Sequence, residues 1–219
     1  MYKTVKSGYI ILQEKRATTE KTVRITYDSN KWVIWRAIIS LTTCEYCASM
    51  NGHILSKSDP CIENIPVHDN CRCSVQIVTA IVAGTATSDG KNGVDLYVAV
   101  HGMLPENYLR KKDAQKQGWL PLLGNLDEVL PGILIGGDKY KNRDGRLPDA
   151  PGRVWYEADF DYTGGYRNNC RLLYSNDGLV FVTYDHYLTF YEIGLEVLPS
   201  VILFWILLTS NRCRDCISI

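Results

Sequence analysis

The stretch from Val154 to Ile193 leaves few folds open. Val154, Tyr156, Ala158 and Phe160 alternate with Trp155, Glu157, Asp159 and Asp161, the period-two pattern of a strand with one polar face. Gly164-Gly165 then turns the chain. Arg171 to Ser175 and Leu179 to Thr183 flank Asn176-Asp177-Gly178, a hairpin signal, and a last strand from Leu188 to Ile193 follows a tight turn at Tyr184-Asp185-His186. Strands joined by such short turns pair antiparallel.

Helical spacing precedes them. Val94, Tyr97, Val98 and His101 fall on one face of a short helix closed by Gly102. Lys111 to Gln117 predicts a second helix with Gly118 just beyond it. Asn125-Leu126-Asp127-Glu128 has capping-box spacing for a third, which Pro131-Gly132 stops. Helices first and strands after predict an α+β domain over 93–194, its N-terminal helices packed on one face of a C-terminal antiparallel sheet.

The region upstream differs in composition. Val23 to Ser40 is alternating and β-branched, hence strand-forming. Residues 83–92 are small, polar and glycine-punctuated, which predicts a flexible linker. The chain therefore divides into a Cys/His-rich module (1–82), a linker (83–92), the α+β domain (93–194) and an unassigned tail (195–219).

Of eight cysteines, five lie between Cys44 and Cys73; the others are Cys170, Cys213 and Cys216. A disulfide scaffold would spread them more evenly, so the clustering favours metal. Cys44-x-x-Cys47 and His68-x-x-Cys71-Arg72-Cys73 present short-spaced ligands on either side of a loop, as structural zinc requires. Cys44, Cys47, His68 and Cys71 form the first set, with Cys73 or Cys61 as a substitute. The competing reading is reduced cysteines beside a core histidine. Cys213-x-x-Cys216 is too isolated to place.

Formal net charge is zero, and between Lys91 and Gly194 acidic residues slightly outnumber basic ones. Global charge therefore attracts no polyanion, and any phosphate binding must come from locally clustered cations. No signal peptide is visible, because the apolar run Tyr9 to Leu12 is too short for a secretory core. Val201 to Leu208 is likewise far below the roughly 20 residues of a membrane helix, so no membrane partner is expected.

Lys111, Glu157, Arg167, Arg171 and His186 supply a carboxylate, an imidazole and three cations with no metal-ligand spacing among them. Metal-free RNA cleavage needs these groups. The carboxylate takes the 2′-hydroxyl proton, the imidazole protonates the leaving 5′-oxygen, and the cations hold the charged phosphate. Taken singly, each has a plainer reading: a solvated strand glutamate, a structural histidine, and arginines paired with Asp159 and Asp161 at the surface.

The order of motifs carries a resemblance. Leu104-Pro105-Glu106-Asn107-Tyr108, Gly124-Asn125-Leu126, Ile135-Gly136-Gly137-Asp138, Asn142-Arg143, Glu157-Ala158-Asp159, Arg167-Asn168, Leu173-Tyr174-Ser175 and Thr183 to Tyr187 are met in sequence. From about Gly93 to Ile193 the chain resembles, without gaps, the barnase-like guanyl-preferring microbial ribonucleases. The resemblance implies Glu157 as general base, His186 as general acid, and Lys111, Arg167 and Arg171 as transition-state cations. It implies that main-chain N–H groups of Asn142 and Arg143 and the carboxylate of Asp144 hold guanine, and that Tyr187 stacks on a base. It implies no cofactor for catalysis and a single-stranded RNA substrate, since the reaction needs a 2′-hydroxyl. The chain also departs from the family. Arg110 stands where a threonine caps the second helix, Arg146 replaces a lysine, Asp144 is shorter than the family's glutamate, Gly178 replaces a tryptophan, and Cys170 is unmatched.

Residues 30–80 carry a second resemblance. Trp35-Arg36, Cys44-x-x-Cys47, Asn51-Gly52 and Pro66-Val67-His68-x-x-Cys71-Arg72-Cys73 resemble the end of MuF-like phage minor head proteins. Together the two resemblances imply a phage-associated or polymorphic toxin. It would act outside the cell or be delivered by a phage-type particle, would contact head or portal proteins, and would be silenced by an acidic barstar-like inhibitor over Arg143, Arg167, Arg171 and His186. Without the toxin role it would be cytoplasmic. Two rival readings are a phage-head accessory protein whose inactive ribonuclease fold serves for binding, and a zinc-module nucleic-acid binder.

Overall fold

The structure, a computed structural model, describes residues 2–6, 9–13 and 31–195, with side chains over 31–195. The tail beyond 195, with Cys213 and Cys216, and the start of the predicted Val23–Ser40 strand lie outside the described residues. Strands β1 (Tyr2–Lys6) and β2 (Tyr9–Gln13) pair antiparallel. They stand in a unit apart from Asp28–Gly194, which form one compact unit.

That unit begins with β3 (Trp32–Ala37), α1 (Glu45–Met50), β4 (Ile54–Ser56), α2 (Pro60–Glu63) and β5 (Cys73–Ile77). The three strands form an antiparallel sheet in the order β4-β3-β5. Then follow β6 (Ala80–Val82), α3 (Val94–His101), β7 (Tyr108–Leu109), α4 (Lys111–Lys116), α5 (Leu126–Val129), β8 (Leu134–Tyr140), β9 (Trp155–Asp159), β10 (Arg171–Ser175), β11 (Val180–Thr183) and β12 (Tyr191–Gly194). Seven strands make one sheet, β6-β12-β11-β10-β9-β8-β7, whose inner pairs are antiparallel. Its two edge strands, β6 and β7, pair in parallel, an addition to the predicted antiparallel sheet.

The predicted helices form with their stops in place. Gly102 ends α3 in the left-handed region at φ 68°, and Gly118 follows α4 at φ 101°. Helix α3 packs on β10, β11 and β12, burying Val94 and Val98 against Phe160, Leu172, Val180 and Val182. Helix α4 lies against β8, where Ala114, Trp119, Leu126 and Ile135 are buried together. The capping box expected at Asn125 does not form. Its side chain instead accepts from Leu120 N–H at 2.7 Å and donates to Gly118 O at 3.2 Å, bracing the loop before α5.

The other sheet face is also covered. Trp32, Ile34, Ile54 and Val78 from the upstream module share one core with Leu147, Trp155, Leu173, Phe181 and Phe190. The polar face predicted for β9 is therefore not solvated: Trp155, Glu157 and Asp159 are all buried. Nor is 83–92 a free linker. Asp95, wholly buried, accepts from Gly84 N–H, Ala86 N–H and the Thr87 hydroxyl. Ser88 donates N–H and Oγ–H to Asp161, and the Tyr184 hydroxyl donates to Ala86 O. The small residues of this stretch let the backbone come close enough to one buried carboxylate to donate hydrogen bonds to it.

Candidate active site

Antiparallel register places the site on the face that carries the module. Glu157 pairs with Leu173 and Asp159 with Arg171, while Arg171 also pairs with Thr183. Directly opposed residues share a face, so Glu157 stands in one row with Leu173 and Phe181, with the apolar end at Trp155 on one side of it and Asp159, Arg171 and Thr183 on the other. The apolar end is sealed by the module, and the polar end meets α4 and the turns.

Glu157 is 8% exposed. Lys111 Nζ donates to its Oε1 and the Tyr187 hydroxyl donates to its Oε2 at 2.6 Å. Burial works to raise the Glu157 pKa. The hydrogen bonds from Lys111 and Tyr187, with the charges of Lys111 and Arg167, outweigh it and hold the carboxyl below its usual range. Glu157 is thereby held as a carboxylate. Burial and the bond to Glu157 push the Tyr187 phenol well up, so it stays a donor.

Arg167 forks onto Asp159, with Nε to Oδ2 and Nη2 to Oδ1 both at 2.6 Å. Arg171 Nε lies 3.1 Å from the same Asp159 Oδ1, an ion pair without hydrogen-bond alignment. Its Nη1 donates to Asn168 O and Cys170 O, both at 2.7 Å. Asp159 is not the surface partner that its place in the sequence suggests, being 1% exposed. Its signal was the alternation that puts it on the face of Glu157, and the structure makes it the buried anchor that aims two arginines. Arg171 is 3% exposed. An inhibitor expected to cover it would meet Arg143, Arg167 and His186 instead.

His186 is exposed on the turn after β11, at φ 58°, with its backbone N–H donating to Asn169 O at 3.2 Å. Asp185 holds that turn by accepting from Thr183 Oγ1, Leu188 N–H, Thr189 N–H and Thr189 Oγ1. Burial opposes its ionisation, but these donors prevail and lower its pKa. The His186 and Tyr187 rings lie 4.8 Å apart, and Tyr187 stacks on Tyr140 at 5.1 Å. Tyr187, expected to stack on a base, is thus committed to Glu157 and Tyr140.

The loop after β8 is closed by Asn142, which sits at φ 45°. Its side-chain oxygen accepts from Leu147 N–H and its amide donates to Leu147 O, at 3.0 and 2.9 Å. Arg143 and Asp144 are exposed at the tip. Arg146 donates to Leu188 O at 2.8 Å, tying the loop to the His186 turn. Beside Lys111 and Arg167, Gln115, Trp119, Pro121, Gly124, Gly165 and Tyr166 line an open groove of about 360 Å³.

A family model described as ribonuclease matches residues 94–194. A ribonuclease of Bacillus pumilus is 46% identical over 128 residues, 58% of this chain and 78% of that one. The chain belongs to the ribonuclease family. A ribonuclease of Heyndrickxia coagulans is 51% identical over 102 residues, 47% of this chain and 94% of its own. One from Bacillus intermedius is 47% identical over 116 residues, 53% and 72% of the two chains. The family model's match, residues 94–194, does not include the Cys/His module.

In the module, Cys44, Cys47 and His68 form one group and Cys47, Cys71 and Cys73 another, with ligand atoms in each group within 4.8 Å of one another. Cys61 stands apart from both groups, with its backbone N–H on Asp59 Oδ1 at 2.9 Å, and is no substitute ligand in this arrangement. Backbone N–H groups of Cys73 and Val67 bring the Cys71 thiol down to about 7, within reach of thiolate at neutral pH. Among the described residues, no helix is long and apolar enough to cross a membrane.

Proposed function

We propose that this ribonuclease-family chain is an endoribonuclease. It would cleave single-stranded RNA after guanosine by transphosphorylation to a 2′,3′-cyclic phosphate, with no metal in the chemical step. The observation that carries the reading is Glu157, buried yet held ionised between Lys111 and Tyr187. Glu157 takes the 2′-hydroxyl proton, displacing the Tyr187 hydroxyl or Lys111 as it does so. The 2′-oxygen attacks phosphorus, the P–O5′ bond breaks, and His186 gives its proton to the leaving 5′-oxygen. Lys111 and Arg167 face the phosphate, and Arg171 supplies fixed positive charge behind them and positions Asp159. Main-chain N–H groups of Asn142 and Arg143, with the Asp144 carboxylate, hold guanine.

The Cys/His group supports a structural zinc held by Cys44, Cys47, His68 and Cys71, with Cys73 alongside. The likeness of 30–80 to MuF-like head proteins supports delivery by a phage-type particle, hence a toxin role with head or portal contacts. Exposed Arg143 and His186 beside Arg167 suit an acidic inhibitor, whose encounter such charge would speed.

The purified chain, given a GpN dinucleotide in EDTA, is expected to release the cyclic phosphate. Glu157→Ala and His186→Ala should each lower the rate by about 10²–10⁴. Folded protein that retains RNA without turning it over would instead support an inactive binding fold.

A further inference from the structure

The base loop does not stand free. Ile54 N–H donates to Arg146 O at 3.0 Å, and Leu147 is buried with Ile54, Trp32 and Ile34. The His53 imidazole lies against Gly145, whose φ is 61°; a Cβ there would come 2.8 Å from His53 Cε1. Part of the loop's backing is therefore built by residues outside the family match.

The same turn is wired to the cysteine cluster. Cys44 is the N-cap of α1 and Cys47 lies in its first turn. From its far end the chain enters Asn51–His53, where His53 N–H donates to Met50 O and Gly52 N–H to Trp35 O, while Trp35 N–H donates back to His53 O. Ala37 N–H donates to the Asn51 side chain at 3.0 Å. A helix of six residues is marginal without help at its ends.

The cluster can give that help. His68 Nε2 is 3.3 Å from both Cys44 Sγ and Cys47 Sγ, and Cys47 Sγ is 3.9 Å from Cys71 Sγ. Bond lengths of about 2.3 Å to sulfur and 2.0 Å to nitrogen place tetrahedral ligands roughly 3.5–3.8 Å apart. His68 Nδ1 lies 2.8 Å from Asp69 O, which fixes the tautomer that turns the Nε2 lone pair toward the sulfurs.

We propose that the Cys/His module is a metal-set clamp on the base loop: zinc at the cluster holds α1 and seats His53 and Ile54 on Gly145 and Arg146, setting base preference without touching the reacting atoms. The proposal rests on the base-loop and zinc readings above, and its test separates them. The full chain is compared zinc-loaded and chelated under reducing conditions. Metal is counted by atomic emission, kcat/KM is measured on GpN and ApN dinucleotides, and guanosine 3′-phosphate binding is measured by calorimetry.

One zinc per chain is expected. Its removal should cut the GpN-over-ApN preference by about tenfold, the size of one or two misplaced hydrogen bonds, and weaken nucleotide binding in step. Zinc should restore both. His53→Ala should give the same fall while keeping its metal. A preference unchanged by chelation, or GpN and ApN rates falling in parallel, overturns the clamp, as does a chain that takes up no zinc. His53→Ala with full preference overturns it too. A zinc-loaded chain that neither prefers GpN nor binds guanosine 3′-phosphate fails earlier, in the base-loop reading, and takes the clamp with it.

Discussion

Glu157 is where opposed forces meet on one side chain. Burial favours its neutral acid, while Lys111, Tyr187 and the charge of Arg167 favour the carboxylate and prevail. A base with a lowered pKa is ready at neutral pH and loses activity only when acid protonates it. Lys111→Ala removes both a hydrogen bond and a positive charge from the carboxylate and so raises the Glu157 pKa. The acid limb of the pH profile of kcat/KM should move to higher pH, along with a drop in kcat; an acid limb left in place would show that Glu157 is not the group titrating. At this scale the sequence showed the right residue types, but not their commitments. Tyr187 was expected on a base and is found on Glu157, and Asp159 was expected at the surface and is found under two arginines. Such pairings depend on which side chains the sheet register opposes, and strand alternation alone does not supply the register.

Helix α4 shows how an element borrows what its own sequence lacks. Arg110 is its N-cap and provides no side-chain acceptor. Asp138 from β8 accepts the Lys111 N–H at 2.9 Å in its place. A bulge between Gly136 and Asp138 aims that carboxylate, with Gly137 at φ 89° and Gly136 packed so closely that a Cβ would lie 2.7 Å from Tyr108. Asp138→Ala should cost about 1 kcal/mol, a typical cap loss, read from the denaturant midpoint. It should also loosen Lys111, so the rate should fall although Asp138 touches no substrate. Restoring a local cap with Arg110→Thr should recover part of the stability. The helix and its stop were legible from spacing and Gly118. The cap was not, because its donor and acceptor are 27 residues apart.

At the scale of the molecule, the sheet has both faces covered, one by α3 and one by the Cys/His module. The buried Trp32 side chain donates to Glu192 Oε1 at 3.0 Å, linking the module to β12. Residues 31–194 should therefore unfold in one cooperative transition. Ile54→Ala, which removes a side chain 1% exposed in the shared core, should lower stability by about 2–5 kcal/mol and shift the whole transition. Two separate transitions, with only the first moved, would mean independent domains. Composition suggested such independence, since the small residues of 83–92 read as a linker until Asp95 was seen to bind them. From the sequence alone came the α+β order, the hairpins, the helix stops, the clustered ligands and the five catalytic candidates, because periodicity, turn chemistry and motif order are local. The partners of Glu157, Arg167 and α4, and the seating of the module on the base loop, came only with the tertiary structure. Each depends on residues distant in the chain that only packing brings within hydrogen-bond reach.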